Sequence, residues 1–145
     1  YEASGPTVRL SKEIEYINNY IALEKMRFGD RISVSFTSNN IDSDINVPSL
    51  ITLPIIENCF KHGLVNEAEQ AFITIDLSYS KGVFTLKAEN TKPKFDQEIE
   101  KHGIGIKNMK RRLELMFGGN YDLKIKEDDD SYMAILRFNP DKMKN

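Results

Sequence analysis

The stretch "PIIENCFKHG", from Pro54 to Gly63, combines an apolar helix face with a cluster of polar side chains. At about 100° per residue, its aliphatic and aromatic side chains share one arc, which predicts a helix face packed against a core. The opposite arc carries four polar side chains, those of Glu57, Asn58, Lys61 and His62. A carboxylate, an amide, an amine and an imidazole are therefore expected together on one helix surface.

This polar arc allows two interpretations. The first is a solvated helix face on which Glu57 and Lys61 form an i,i+4 ion pair, which stabilises a helix by about 0.3–0.5 kcal/mol. The second is a nucleotide phosphate site. A carboxylate can accept a proton or orient a nucleophile, the oxygen of Asn58 can ligate Mg²⁺, and a lysine supplies a point charge to phosphate. The residues alone leave both interpretations open.

A second segment, "HGIGIKNMKRRL" from His102 to Leu113, predicts an anion site at the start of a helix. Gly103 and Gly105 permit close approach of the backbone to a ligand. The helix that follows would present its unpaired N–H groups and its positive dipole end at the same place. A dinucleotide-binding fingerprint needs a third glycine within a βαβ unit, and neither a third glycine nor a preceding strand is present here.

The basic residues of this second segment are less specific. Lys110 and Arg112 fit a solvated helix face equally well, whereas Lys107 and Arg111 share a stripe near the glycines. Nucleic-acid binding would require a net basic surface or interleaved aromatic residues. The chain has a net charge of −2 and lacks that pattern, so nucleic acid is not an expected partner.

Length and composition predict one soluble globular domain. The chain has 145 residues, of which 40% are hydrophobic, and this suits a single core. Its one cysteine, Cys59, excludes an internal disulfide framework. The sequence contains no apolar run near the ~20 residues that cross a bilayer, and its first residues show no signal-peptide pattern.

Periodicity predicts the element order α-β-β-α-β-β-α-β-β. Ser11 is a candidate N-cap for the first helix, and Pro54 predicts a kink or a late start of the second. Paired strands between single helices indicate a mixed, mainly antiparallel sheet covered on one face by helices. We expect an upstream linker in residues 1–10, one domain in 11–140 and a tail in 141–145. The predicted helices are Ser11–Phe28, Leu50–His62 and the glycine-flanked segment Gly103–Gly119; the predicted strands are Arg31–Thr37, Ile45–Val47, Phe72–Tyr79, Val83–Asn90, Tyr121–Glu127 and Ser131–Phe138.

Three segments resemble, in order and spacing, the motifs of the GHKL (Bergerat-fold) ATPases. "LPIIENCFKHG" is similar to the N box in the form found in LytS/YehU-type sensor histidine kinases. "HGIGIKNMKRRLELMFGG" resembles the second glycine box and the following helix of the same group. "LSKEIEYINNYIALEKMRFGDR" resembles the segment that precedes the ATPase domain in those kinases. The resemblance extends over nearly the whole chain, from Leu10 to Phe138.

The resemblance implies a two-layer α/β (α+β) sandwich, in which a mixed sheet is covered on one face by about three helices. It implies ATP and Mg²⁺ as ligands, with Glu57 as the acid/base or water-orienting residue, Lys61 beside it in catalysis, and Asn58 as the Mg²⁺ ligand. The connection Thr91–Lys101 would be a lid over the triphosphate. The implied ATP-binding set is Asn58, Lys61, His62, Asn90, Gly103, Ile104, Gly105, Lys107 and Asn108.

The chain departs from the family pattern at one motif. Many GHKL proteins carry Asp-x-Gly where this chain has "AENTKPK". Asn90 takes the place of the adenine-reading aspartate, and Lys92 takes the place of the glycine. The oxygen of an asparagine still accepts from the adenine amino group, but loss of the charge weakens binding by about 1–2 kcal/mol.

The function implied is that of the ATP-binding catalytic domain of a two-component sensor histidine kinase. Such a domain transfers the γ-phosphoryl group of ATP to a histidine on an upstream dimerisation and phosphoacceptor domain. His62 and His102 both lie in ATP-site motifs, so we expect this chain to lack its own acceptor. The resemblance further implies a response regulator as a partner and a membrane-associated homodimer as the parent, an inner-membrane protein with this domain in the cytoplasm.

Two other functions remain open. A degenerate nucleotide-sensing or protein-interaction module without catalysis is suggested by Asn90 and Lys92. A GHKL ATPase that drives conformational change would need a transducer domain, for which 145 residues leave no room.

Overall fold

The computed structural model describes residues 6–63, 70–92 and 104–144, and only the backbone of residues 62 and 63. The predicted element order is confirmed there, with one additional strand at the start. In chain order the elements are β1 (Thr7–Arg9), α1 (Leu10–Phe28), β2 (Ile32–Thr37), β3 (Asn46–Pro48), α2 (Leu53–Gly63), β4 (Ala71–Ser80), β5 (Val83–Thr91), α3 (Ile104–Phe117), β6 (Tyr121–Glu127) and β7 (Ser131–Phe138).

Five strands form a mixed sheet in the order β2-β4-β5-β7-β6. β2 runs parallel to β4, and the other neighbouring strands are antiparallel. The short strands β1 and β3 pair antiparallel in a separate two-stranded sheet. The predicted mixed, mainly antiparallel sheet is therefore confirmed.

One face of the sheet carries the core. Along β4, Ile73, Ile75 and Leu77 are buried while the residues between them are exposed, as the period of a strand requires. α2 packs across β4, β5 and β7. Phe117 of α3 lies 4.6 Å from Phe138 of β7 between ring centroids. The result is the two-layer α+β sandwich that the resemblance implies.

The start of α1 differs from the sequence prediction. Ser11 is not the N-cap: the helix begins at Leu10, and Arg9 holds the cap position without a side-chain hydrogen bond. Asp44 instead accepts from the backbone N–H of Ser11 at 2.9 Å and from its hydroxyl at 2.8 Å. Asp44, a loop residue distant in sequence, therefore caps this helix. Its carboxylate accepts from an N–H of the first turn, which has no partner within the helix.

The strand β1 lies within the stretch assigned to the linker. Val8 pairs with Val47, and Leu10 is 1% exposed. Residues 7–10 are therefore part of the folded unit.

The start of α2 agrees with the late start that Pro54 predicts. The helix begins at Leu53 rather than Leu50, so Pro54 occupies the first turn, where a backbone N–H has no partner within the helix. At the other end of the chain, α3 stops at Phe117 and Gly118 follows with φ of 60°, the left-handed conformation that favours glycine. Within the described parts of the chain, no helix combines the length and the apolarity needed to span a membrane.

Candidate functional site

A buried carboxylate fixes the loop that leads into α2. Glu13 of α1 is 0% exposed, and it accepts from the backbone N–H of Leu50 at 2.8 Å. It also accepts from the N–H of Thr52 at 3.1 Å and from the Thr52 hydroxyl at 2.7 Å. Burial raises the pKa of Glu13, while the hydrogen bonds from Thr52 and Leu50 oppose that rise. These bonds set the position at which α2 begins.

The polar arc of α2 faces the first turn of α3 across a cavity of about 150 Å³. Glu57, Asn58 and Lys61 line it from α2, and Gly105 lines it from α3. A Cβ added to Gly105 would lie 3.7 Å from the Cβ of Pro54, so the two helices approach closely here. A helix N-terminus and a lysine on one cavity favour an anion.

Asn58 is buried, whereas the interpretation of the polar arc as a solvated helix face predicts that it is exposed. It is 6% exposed, and its Nδ2 donates to the hydroxyl of Tyr132 at 3.0 Å. Among the described residues, nothing donates to its Oδ1. An amide held through its nitrogen presents its oxygen to the cavity, and amide oxygen is a ligand type that Mg²⁺ accepts.

Glu57 and Lys61 both lie at the exposed side of the same cavity. Desolvation raises the pKa of Glu57, and the nearby carboxylate of Glu24 raises it further. Although both side chains are described, they form no ion pair within 4.0 Å of each other, so the i,i+4 pair is not observed.

Asn90 lies on β5 directly opposite Tyr132 of β7, and its side chain is 1% exposed. Its Nδ2 donates to the carbonyl of Thr91 at 3.0 Å, whereas its Oδ1 is buried without a hydrogen-bond partner in the described part of the chain. Such orphaned acceptors are rare in folded proteins because they cost about 1–3 kcal/mol. A ligand that brings an N–H donor would supply the missing partner, and the adenine amino group that the resemblance implies is such a donor.

Lys92, for which the resemblance implies a glycine, contacts the end of β6 and the turn that follows it. Its Nζ donates to the carbonyl of Asp128 at 3.0 Å and lies 3.7 Å from the carboxylate of Glu127. The lysine is therefore held by the turn between β6 and β7.

The remaining sequence-predicted site residues are only partly described. Ile104 lines the cavity and is 77% exposed, and Lys107 and Asn108 are exposed on the first turns of α3. Gly103, His102 and most of the proposed lid lie outside the described residues, as does the side chain of His62.

The sequence analysis missed three residues that shape this site, namely Glu13, Glu24 and Tyr132. Tyr132 is 74 positions from Asn58, and its place in a strand of alternating burial predicts only an aromatic residue of the core. From sequence, Glu13 is predicted to be an ordinary acidic residue in the first turn of a surface helix. Its partners, Leu50 and Thr52, come close to it only in the folded chain. Among the described residues no group of three or more His, Cys, Asp or Glu side chains could hold a metal ion.

Comparison with known proteins finds sensor histidine kinases. A family model described as "Histidine kinase" matches residues 1–32. Sensor histidine kinase BtsS of Escherichia coli K12 is 28% identical over 128 residues, which are 88% of this chain and 23% of that protein. Sensor protein LytS of Oceanobacillus iheyensis is 28% identical over 146 residues, covering 91% of this chain and 25% of that protein.

In sequence, this chain is similar to the LytS/BtsS-type sensor histidine kinases. Sensor histidine kinase YpdA of Escherichia coli K12 is similar as well, at 29% identity over 122 residues, which are 77% of this chain and 21% of that protein. The chain spans about a quarter of the length of these curated relatives.

Solved structures of histidine kinase catalytic domains share the fold of this chain. The catalytic domain of histidine kinase ThkA superposes with a TM-score of 0.64 at 12% identity, covering 94% of this chain and 97% of that one. The histidine kinase domain of the Erythrobacter litoralis EL346 blue-light activated kinase gives a TM-score of 0.67 at 12% identity, with coverage of 97% and 71%.

Proposed function

We propose that this chain is the ATP-binding catalytic domain of a two-component sensor histidine kinase. It transfers the γ-phosphoryl group of ATP to a histidine on an upstream dimerisation and phosphoacceptor domain. The observation that carries the proposal is the convergence of Glu57, Asn58 and Lys61 with Gly105 on one cavity. These side chains are the parts that a triphosphate, a divalent cation and a proton transfer require, and they come from the two elements that resemble the ATP-site motifs.

The chemistry that the chain's own residues supply is positioning and charge neutralisation. When bound, ATP would bring the transferable phosphoryl group, and Mg²⁺ would neutralise charge on the phosphate oxygens. Lys61 and the first turn of α3 offset further phosphate charge. Asn58, oriented by Tyr132, would ligate the metal through Oδ1.

Glu57 would act on the attacking imidazole. Its carboxylate can accept the ring N–H and so direct the lone pair of the other ring nitrogen toward the phosphorus. Asn90 would read the adenine amino group through Oδ1, since its Nδ2 is already bound to Thr91. His62, Gly103, Ile104, Lys107 and Asn108 complete the proposed ATP-binding set.

The domain organisation and partners extend the same proposal. The ATP-binding unit would occupy about residues 7–140, which adds β1 to the predicted range 11–140, and Thr91–Lys101 would form its lid. A structure of ThkA in complex with response regulator protein TrrA aligns with 94% of this chain at 13% identity and a TM-score of 0.61, covering 42% of that chain. A response regulator is therefore the proposed downstream partner, and the parent is proposed to be a membrane-associated homodimer of the inner membrane with this domain in the cytoplasm.

A second candidate is a nucleotide-sensing or interaction module without catalysis. It is favoured by the uncharged Asn90 and by Lys92 in place of a glycine. Calorimetric titration with ATP and with ADP, each with and without Mg²⁺, separates the candidates. Absence of heat at millimolar nucleotide favours an interaction module, whereas Mg²⁺-dependent binding without phosphoryl transfer favours a sensor.

The kinase proposal is tested on the full-length protein with [γ-³²P]ATP. We expect label that is stable in alkali and lost in acid, as phosphohistidine is. Glu57→Gln should reduce the labelling rate by about a hundredfold, and it should leave the affinity for ATP within about twofold. Glu15→Gln, an exposed carboxylate on α1, is the matched control. Acid-stable label, or equal rates for both variants, would refute the proposal.

A further inference from the structure

A further cavity lies beside Glu57, between the C-terminal half of α1 and α2, and is called the α1–α2 cavity below. Its volume is about 320 Å³. It is lined from α1 by Tyr20, Glu24 and Arg27, and from α2 by Glu57, Phe60 and Lys61. Glu57 and Lys61 also line the cavity at Gly105. These two side chains of α2 therefore line both the proposed phosphate site and the α1–α2 cavity.

Glu24 is the unexplained group in this α1–α2 cavity. Its side chain is 14% exposed, and its nearest cation is Arg27 at 3.9 Å, a residue whose own side chain is 72% exposed. Among the described residues, nothing donates a hydrogen bond to Glu24. Removing a carboxylate from water costs free energy that a single long ion pair to an exposed arginine offsets poorly. The ion pair with Arg27 therefore does not explain why the side chain of Glu24 is buried.

The charges around the α1–α2 cavity suit a neutral group that both donates and accepts. Glu24 and Glu57 are close enough for their charges to interact, and Lys61 and Arg27 bring two positive charges to the same walls. Aromatic surface is present too, since the rings of Tyr20 and Phe60 meet edge to face at 5.4 Å. A neutral imidazole matches these walls, because it has one N–H donor, one lone pair and a flat apolar ring.

We propose that Glu24 is a positioning residue for phosphoryl transfer and that, with Glu57, it forms the cavity that receives the accepting imidazole. The inference rests on the proposed kinase function. It adds the cavity through which the acceptor histidine approaches and a role for Glu24 of α1. The acceptor reaches the α1–α2 cavity while the triphosphate lies at Gly105, so Glu57 and Lys61 face both reactants.

The transfer balances with the groups named. The lone pair of one imidazole nitrogen forms the N–P bond as the bond from the γ-phosphorus to its bridging oxygen breaks. ADP leaves with that electron pair. The proton on the other ring nitrogen passes to a carboxylate of the cavity and then to solvent. A carboxylate that accepts this N–H beforehand holds the imidazole in the tautomer that can attack.

The test compares kcat and the KM for ATP in autophosphorylation of the full-length protein. We expect Glu24→Gln to lower kcat by tenfold or more and to leave the KM for ATP within about twofold, because the nucleotide side of Glu57 is unchanged. Glu24→Asp retains the charge and should recover part of the loss. The matched control is Glu15→Gln, which makes the same chemical change on the same helix and also breaks an ion pair with a basic residue three positions away.

Two results would overturn the inference alone, with wild-type protein active. Either Glu24→Gln behaves like Glu15→Gln, or kcat, KM and the thermal midpoint of Glu24→Gln all worsen together and Glu24→Asp does not restore kcat, which indicates a structural role. If wild-type protein binds no ATP or forms no phosphohistidine, the proposed function fails first and the inference falls with it. Calorimetric ATP binding, measured on each variant, tells these cases apart.

Discussion

The amide of Asn90 is the group that we propose reads the base of the bound nucleotide. Its Nδ2 donates to the carbonyl of Thr91, so Oδ1, which has no partner among the described residues, is the atom left to accept a hydrogen bond from a ligand. Adenine offers an amino group there, whereas guanine offers a carbonyl oxygen that would meet another acceptor. Under this proposal, base specificity depends on the hydrogen bond from Asn90 to the carbonyl of Thr91.

We expect the chain to bind ATP more tightly than GTP, and Asn90→Ala to reduce that difference. Loss of one hydrogen bond to the base should weaken ATP binding by about 1 kcal/mol, with little change for GTP. Calorimetric titration of both nucleotides measures the ratio. Asn18→Ala, on the exposed side of α1, serves as the control. An unchanged ATP-to-GTP ratio in Asn90→Ala would contradict the assignment.

Tyr132 gives a second prediction at this scale. Tyr132→Phe removes the acceptor that holds Nδ2 of Asn58, so the amide loses its fixed orientation. ATP affinity measured with Mg²⁺ should fall by about tenfold, a typical effect of groups that orient a metal ligand. The affinity measured in EDTA should stay unchanged. The control Tyr121→Phe removes a hydroxyl that donates to Glu114 at 2.8 Å on an exposed surface. Equal losses with and without Mg²⁺ would show that Tyr132 serves packing instead.

Sequence alone can identify the residues that share one helix turn, and it misses those that meet through the fold. Glu57, Asn58 and Lys61 follow from helical spacing around one polar arc. Tyr132 does not, because β7 reaches α2 only after the sheet has formed. The burial of Asn58 was unpredictable for the same reason: its angle on the helix says nothing of a tyrosine that covers it.

At the scale of elements, α1 and the loop before α2 act as one unit through Glu13. The residue connects to Leu50, whose φ of 58° is unusual for a leucine, and to Thr52. The position of the polar arc thus depends on a carboxylate from another helix.

We expect Glu13→Ala to lower the free energy of unfolding by about 2 kcal/mol, because it leaves buried donors without an acceptor. Urea unfolding measures this change. The exposed Glu15→Ala on the same helix should change the free energy by less than about 0.5 kcal/mol. Equal effects of both variants would contradict the role assigned to Glu13.

The pH dependence of Glu13 has a defined sign. Burial raises its pKa in the folded chain above the ordinary value of 4.5, so the protonated form is favoured by folding. Its contribution to the free energy of unfolding is then full below that value and is lost as pH rises through the folded pKa. Compared with Glu13→Gln, wild-type protein should therefore lose relative stability from about pH 4 upward. A relative gain over the same range would contradict the raised pKa.

Element boundaries were predictable where a local residue sets them. Pro54 and Gly118 end or delay helices through their own backbone preferences. The cap of α1 was not predictable, because Asp44 comes from a loop 33 positions away. The strand β1 was likewise hidden, since three residues form a strand only when a partner such as β3 is present.

At the scale of the whole molecule, the alternation of buried and exposed residues in the strands and the order of the helices determine the architecture. The cavities lie where α2 meets α1 and α3. The buried Cys59 reports on the integrity of that arrangement. It is 0% exposed, and burial raises the pKa of its thiol to about 12. Movement of α2 away from the sheet would expose this thiol.

We expect Cys59 to react with a thiol-specific disulfide reagent only through opening of the fold. ATP with Mg²⁺ should slow the reaction by the factor that ligand binding adds to the folded state, about a hundredfold at a concentration one hundred times the Kd. The labelling rate is followed by absorbance with and without nucleotide, and urea-unfolded chain is the control. Labelling as fast as in urea would contradict the burial of α2.

The most direct test of the central claim is a titration of ¹⁵N-labelled chain with ATP and Mg²⁺, followed by backbone amide resonances. The account predicts saturable shifts that are largest at Glu57 to Lys61, at Asn90 and at Ile104 to Ile106, with small shifts on the exposed face of the sheet, such as at Thr74. Resonances that stay in place at millimolar nucleotide, or shifts confined to that exposed face, would contradict it.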